Sequence, residues 1–300
     1  MMENSLRFAA VDIGSNAVRL FFSYVFETET GPVFKKASLI RLPIRLGDDS
    51  FHHRPIQQHK IDELVSAMKG FKNLLKAYNV IEYRACATSA MRDAVNSEAI
   101  LKQVKKESGI QIELIDGETE AALIFENHVA EAFDSEKTFL YMDVGGGSTE
   151  FTLFKEGKRA ASRSFNIGTI RLKEDLVEED TWHMIKLWLK KIKNTYQPQY
   201  IIGSGGNINT LFKLSQLRDM KPMQMESVKS WHRRLKILSF DEKISKLGLR
   251  PDRADVIVHA TELFLYAMSN SGCKEIIVPK VGLVDGIVHQ LYNDYKAKEN

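Results

Sequence analysis

The stretch "YMDVGGGSTEFTLF", residues 141–154, sets an aspartate, three glycines, two hydroxyls and a glutamate between two apolar runs. Adjacent glycines cost conformational entropy on folding, so a chain keeps them where side chains would block a tight turn or an approach to the backbone. After the turn, Thr149, Phe151, Thr152 and Phe154 favour a pleated strand over a helix. The segment reads as strand, turn, strand. A dinucleotide-binding turn is disfavoured, because such a turn opens a helix and its glycines follow a GxGxxG spacing that is absent. The better reading is a backbone bared for an anion, with peptide N–H groups of Gly145, Gly146 and Gly147 and the hydroxyls of Ser148 and Thr149 as donors to phosphate.

The same grammar occurs earlier. Residues 6–25, "LRFAAVDIGSNAVRLFFSYV", run from an apolar strand through a Gly/Ser/Asn break into a second strand. Asp12 and Asp143 each end a strand, with Gly14 or Gly145 two positions on, and the copies lie 131 residues apart, nearly half of the 300. Internal duplication explains this economically. It predicts two similar domains, 1–122 and 123–300, whose hairpins face each other across a cleft, with Asp12, Gly14, Ser15 and Asn16 supplying the first phosphate-binding turn. Between the hairpins, "IDELVSAMKGFKNLLKAY" has helical periodicity, "YRACAT" and "IQIELI" read as strands, and "NSEAILKQVKKESG" as a helix capped by Asn96 or Ser97 and stopped by Gly109. Another helix starts near Gly117. Alternating strands and helices make the class α/β.

A third glycine turn, "IIGSGGNINTLFKL" at residues 201–214, runs from strand into helix, so Gly205, Gly206 and Asn207 are candidates to hold an anion at a helix N-terminus. Its structural alternative is a tight connection capped by Asn207 or Asn209. Carboxylates beside phosphate-binding turns repel their ligand unless a cation intervenes. Asp143 and Glu150 flank the GGGST turn, and a hairpin brings such positions together. Magnesium, which shares one or two carboxylates with substrate phosphates, is the expected ion, with manganese as an alternative. Glu118 and Glu120 lie in the first turn of the helix from Gly117, where the macrodipole favours negative charge; either is placed to orient and deprotonate a water. Arg92, directly after a strand, is a candidate phosphate clamp.

Composition sets the bounds. The chain is 44% hydrophobic and 27% charged with net charge +3, ordinary globular material and too mildly basic for a nucleic-acid coat. Cys86 and Cys273 stand far apart, which argues against a disulfide framework or a CxxC metal site. The cluster His52, His53 and His59 lacks an HExxH spacing or a cysteine partner. No secretory signal or membrane-length apolar run is visible. A soluble, cytoplasmic protein is expected, with no nucleic-acid or membrane partner.

Taken in order, "DIGSN", "ATSAMRDAVN", "DVGGGSTE", "IIGSGGNINTL" and "LRPDRADVI" resemble the exopolyphosphatase/guanosine pentaphosphate phosphohydrolase (Ppx/GppA) family over essentially the whole chain. The resemblance implies two ribonuclease H-like domains of the actin, sugar kinase and heat-shock chaperone ATPase superfamily with an interdomain cleft. It further implies magnesium-dependent hydrolysis of the terminal phosphate of inorganic polyphosphate, or of pppGpp to ppGpp. By position, Asp143 and Glu150 match the metal and catalytic acids, Gly145 to Ser148 the phosphate cradle, Ser15 and Asn16 the first-turn pair, and Arg92 the arginine of the ATSxxR motif. The family's G-x-E-E-A hinge is Gly117-Glu118-Thr119-Glu120-Ala121, which assigns the base to Glu120. Its G-L-R-E-G is Gly282-Leu283-Val284-Asp285-Gly286, without the arginine. The resemblance is to the short, two-domain form, which implies weak processivity and shorter substrates; it leaves room for a homodimer.

Overall fold

The computed structural model describes residues 5–125, 137–279 and 282–299. The chain divides into two compact units, Met1–Asn127 with Gly282–Asn300, and His128–Val281. In the first, β1 (Leu6–Ile13), β2 (Val18–Thr28) and β3 (Gly31–Leu42) form an antiparallel meander. The parallel strands β4 (Glu82–Ala87) and β5 (Glu113–Leu114) extend it in the order β3-β2-β1-β4-β5. Its helices are α1 (Gly47–Ser50), α2 (Gln58–Ala77), α3 (Ser89–Asp93), α4 (Ser97–Ser108), α5 (Gly117–Phe125) and the last helix, Leu283–Glu299.

Strand β1 is central, so its residues from Phe8 to Ile13 are buried on both faces. Phe8 meets the edges of Tyr292 and Tyr295 on the last helix. Phe22 is the register partner of Ala9, one residue on from Phe8, so it leaves the other face, where it stacks on Tyr78 at the end of α2. Helices thus cover both faces of the sheet. Asp12 is on the Phe8 face, the one the last helix covers. Each fully buried large apolar side chain contributes about 1.5–3 kcal/mol.

In the second unit, β6 (Phe139–Val144), β7 (Thr149–Lys155) and β8 (Lys158–Phe165) repeat the meander. β9 (Tyr200–Ser204), β10 (Met223–Gln224) and β11 (Glu275–Ile277) complete the order β10-β11-β9-β6-β7-β8. Around it lie α6 (Thr169–Lys173), α7 (Glu179–Tyr196), α8 (Gly206–Leu214), α9 (Met225–Ile237), α10 (Phe240–Leu247), α11 (Pro251–Ala254) and α12 (Ile257–Ser271). Leu140, Met142, Val144, Phe151 and Leu153 share a core with Leu189 of α7 and Phe264 of α12. Alternation along β6 sends Asp143 to the opposite face.

Both units are ribonuclease H-like, and the duplication is visible in the topology: each has a three-stranded antiparallel meander whose first strand pairs in parallel with a later strand. Three expectations change. The division 1–122 and 123–300 assigns the last helix to the second half, yet it belongs to the first unit, where Leu283, Ile287 and Leu291 are buried. Amphipathic periodicity shows that one helix face is covered, not by which sheet. Of "IQIELI" only Glu113–Leu114 is strand. Asn96 is the N-cap residue of α4 but makes no side-chain cap bond; its amide is paired with the backbone of Ile56 instead, donating to the carbonyl and accepting from the N–H, both at 3.0 Å. The helix expected to start near Gly117 is described over Gly117–Phe125, and residues 126–136 lie outside the described residues. No helix among the described residues is long and apolar enough to cross a membrane.

Candidate active site

The two hairpin turns are built alike. The Gly14 N–H donates to the Ala17 carbonyl at 3.1 Å, and the Gly145 N–H to the Ser148 carbonyl at 3.0 Å. The shift of 131 positions that carries Asp12 onto Asp143 carries Arg19 onto Glu150. The registers agree: Asp12 stands opposite Arg19, and Asp143 opposite Glu150.

Around the second turn the carbonyls are consumed from one side. Gly145 accepts from the Thr169 N–H at 3.0 Å, Gly146 from Ile170 at 2.8 Å, and Gly147 from the Arg171 Nε at 2.9 Å. A trans peptide points its N–H opposite to its C=O, and no peptide among the described residues is cis. The N–H groups of Gly146, Gly147 and Ser148 therefore face away from α6 and its arginine. Successive N–H groups set this way form an anion-binding nest. Close approach makes it possible: a Cβ on Gly168 would lie 2.4 Å from the Gly146 carbonyl, so only glycine passes there. Thr149, expected to donate to phosphate, is fully buried and gives its hydroxyl proton to the Ile167 carbonyl at 2.6 Å. The hydroxyl left to the nest is that of Ser148.

Directly opposed residues of an antiparallel pair project from the same face, so the Asp143 and Glu150 carboxylates are neighbours. Glu150 is only 4% exposed and accepts from the Ser164 hydroxyl at 2.9 Å. Asp143 accepts from the Ser204 hydroxyl at 3.2 Å. Two like charges held together favour a cation, and an all-oxygen set of two carboxylates suits magnesium or manganese rather than a soft-metal site. Among the described residues no group of three or more His, Cys, Asp or Glu side chains could hold a metal. Two carboxylates and substrate oxygens are the pattern magnesium uses.

The third turn closes against the second. Gly205 has φ +105°, and a Cβ there would lie 3.0 Å from Asp143 Oδ1. Gly206 opens α8 under the Arg253 guanidinium, which would overlap any Cβ at that position. Arg253 also donates to Asn207 Oδ1 at 3.3 Å. Neither Asn207 nor Asn209 caps the helix; the N-cap position is Gly205, because the chain enters α8 through its left-sided φ.

In the first unit, Asp12 is 5% exposed with Arg19 at 3.5 Å. Burial pushes its carboxyl above the ordinary range, and Arg19 and Arg41 pull it back. Ser15 and Ser89 share a hydrogen bond of 2.9 Å, and Asn16, next to Ser15 in the chain, is buried. Arg92 lies in the last turn of α3, half-buried, with Nη1 donating to the Ile115 carbonyl. The next residue, Asp116, caps α5: its carboxylate accepts from the Thr119 N–H at 2.7 Å, which holds it below the usual carboxylate range, and its carbonyl accepts from Glu120 at 2.9 Å. Glu118 is exposed and Glu120 half-buried. Burial pushes the Cys86 thiol up to about 12, Arg84 opposes this, and Glu113, Asp12 and Glu120 add to it. Glu120 is thus within electrostatic reach of the residue paired with Asp12.

Sequence reading passed over Arg19, Ser89, Ser164, Arg171, Ser204 and Arg253. For Arg19 the signal was present, since it occupies Glu150's place in the repeat. Arg253 lies within the "LRPDRADVI" stretch, and its contact with Gly206 depends on tertiary structure.

Residues 29–294 match the model of the Ppx/GppA phosphatase family. The chain is 28% identical to a bifunctional 3-dehydroquinate synthase/phosphatase of Fusobacterium nucleatum over 92% of its own length and 45% of that protein's. It is 26% identical to Exopolyphosphatase 2 of Mycobacterium tuberculosis over 95% and 98% of the two chains. The chain spans about half the length of several curated relatives it matches. Among solved structures, an exopolyphosphatase from Cytophaga hutchinsonii shares the fold with a TM-score of 0.83 at 24% identity, covering 96% of this chain and 98% of that one. With the duplicated fold, the glycine turns and a family match over most of its length, this chain belongs to the Ppx/GppA phosphatase family.

Proposed function

We propose that this chain is a hydrolase of phosphoanhydride bonds that releases the terminal phosphate of inorganic polyphosphate. The observation that carries the reading is the second hairpin, where two opposed carboxylates, Asp143 and Glu150, lie at the foot of a turn whose N–H groups are aligned for an anion. A magnesium or manganese ion held by these carboxylates would neutralise charge on the phosphate oxygens and the leaving group.

The chain's own residues divide the remaining work. The N–H groups of Gly146, Gly147 and Ser148 bind phosphate oxygens, and Ser15, Asn16 and Arg92 are the phosphate donors assigned in the first unit. The third turn adds Gly205, Gly206 and Asn207 under the Arg253 charge. Glu120 holds a water in line with the bridging oxygen and accepts its proton as the new P–O bond forms and the bridging P–O bond breaks. Its half-buried position, against the exposed Glu118, supports that assignment. The shortened phosphate chain leaves with the bridging oxygen.

The test is phosphate release from defined polyphosphates and from pppGpp, side by side, with magnesium and with EDTA. Metal-dependent turnover favouring polyphosphate is the expected result. A preference for pppGpp would move the substrate assignment to the guanosine compound within the same chemistry, and full turnover in EDTA would remove the role of Asp143 and Glu150.

A further inference from the structure

Away from the glycine turns, α7, α9 and α12 of the second unit border an open surface pocket of about 390 Å3 lined by Trp182, His232, Glu262, Leu265, Tyr266 and Ser269. Trp182 and Tyr266 meet edge to face, with centroids 4.6 Å apart and planes at 67°, so they form two aromatic walls of a corner. Their geometry is fixed by the Tyr266 hydroxyl, which donates to the Trp182 carbonyl at 2.8 Å.

The hydrogen bonding decides what the corner can bind. Thr261 gives its single hydroxyl proton to the Val258 carbonyl at 2.7 Å, so its oxygen is an acceptor toward His232 Nδ1 at 2.8 Å. His232 accordingly carries a proton on Nδ1, and in the neutral imidazole Nε2 is left with a lone pair. The phenolic proton of Tyr266 is spent in the same way. Glu262 is exposed and, as a carboxylate, only accepts. The indole N–H of Trp182 and the hydroxyl of Ser269 are the donors that remain, and neither is charged. A negative charge, two further acceptors and two aromatic faces suit a positive ligand and repel a phosphate.

We propose that this pocket is a binding site for a small organic cation with N–H donors, of the primary-amine class. The ammonium pairs with Glu262 and donates to His232 Nε2, while the apolar part of the ligand lies against Trp182, Tyr266 and Leu265. The site is independent of the phosphohydrolase reading, since nothing in it binds the substrate's phosphates.

Calorimetric titration of the full chain with benzylamine, benzyl alcohol and benzoate tests it, these probes differing mainly in the group borne by the ring. Benzylamine is expected to bind at least roughly tenfold more tightly than benzyl alcohol, and benzoate most weakly of the three. Glu262→Gln, at an exposed position, should cut benzylamine affinity by about tenfold or more while circular dichroism stays that of the parent. Equal affinity for amine and alcohol, an unchanged affinity in Glu262→Gln, or no saturable heat up to about 10 mM benzylamine would each overturn the proposal.

Discussion

The two glycine turns share a backbone and differ in charge. Both close with the same glycine N–H bond, at 3.1 Å in the first unit and 3.0 Å in the second, and both follow a strand whose last residue but one is an aspartate. In the first, the residue opposite the aspartate is Arg19; in the second it is Glu150. One copy neutralises its aspartate internally, while the other pairs it with a second carboxylate and calls for a cation. Duplication supplied two glycine turns with one backbone, and a change of sign at one register position sets the charge that each presents.

The largest effect should come from the position where the copies differ. Glu150→Gln is expected to lower kcat by roughly 10³-fold in a phosphate-release assay with saturating magnesium. A loss of less than tenfold would mean that the pair is not the metal site. The next effect separates the hinge acids: Glu120→Gln should lower kcat by roughly 10²-fold with KM little altered, while Glu118→Gln stays near the parent. If Glu118→Gln were the damaged variant, the base would move to the exposed acid. Arg92→Ala should raise KM by about tenfold or more, the loss of a charge-assisted bond of ~2 kcal/mol. Because Arg92 also donates to the Ile115 carbonyl just ahead of α5, a thermal melt should accompany the kinetics. Unchanged kinetics would leave Arg92 a purely structural residue.

The smallest effect concerns charge in the first unit. Burial pushes the Asp285 carboxyl up to about 6, opposed by the Gly282 N–H and by Lys36 and Arg19. A carboxyl raised in the folded state lends its full stability below its unfolded value near 4 and loses it as pH rises through about 6. Asp285→Asn keeps an acceptor for the Gly282 N–H and removes the charge. It should melt higher than the parent at pH 8, by about 1–2 kcal/mol of stability, with the difference vanishing near pH 4. A difference independent of pH would show that Asp285 is ionised in the folded protein at little cost.

Much of this was legible in the sequence because the signals are local. Glycines between apolar runs fix the hairpins, and the repeat spacing of Asp12 and Asp143 exposes the duplication. Periodicity finds α2 and α7, and Gly109 stops α4 with φ +71° as its position suggests. What stayed hidden depends on tertiary contact. The last helix is amphipathic, but its partner sheet lies at the other end of the chain, in Phe8 and its neighbours. Strand β8, "KRAASRSF", is a polar edge with no alternation to betray it, yet it delivers Ser164 to Glu150. Thr149 looked like a phosphate donor because its spacing is right, and only the fold shows the Ile167 carbonyl claiming its proton. Hydroxyls that steady the carboxylates come from strands distant in sequence, which no single-stretch motif includes.

The charge difference between the hairpins turns on whether the second, and not the first, is where a divalent cation binds. Electron paramagnetic resonance of Mn²⁺ titrated in the presence of imidodiphosphate measures this directly, in the parent, in Glu150→Gln and in Asp12→Asn. Glu150→Gln is expected to lose at least roughly tenfold in Mn²⁺ affinity while Asp12→Asn keeps that of the parent. Parent-like affinity in Glu150→Gln, or an equal loss in Asp12→Asn, would contradict it.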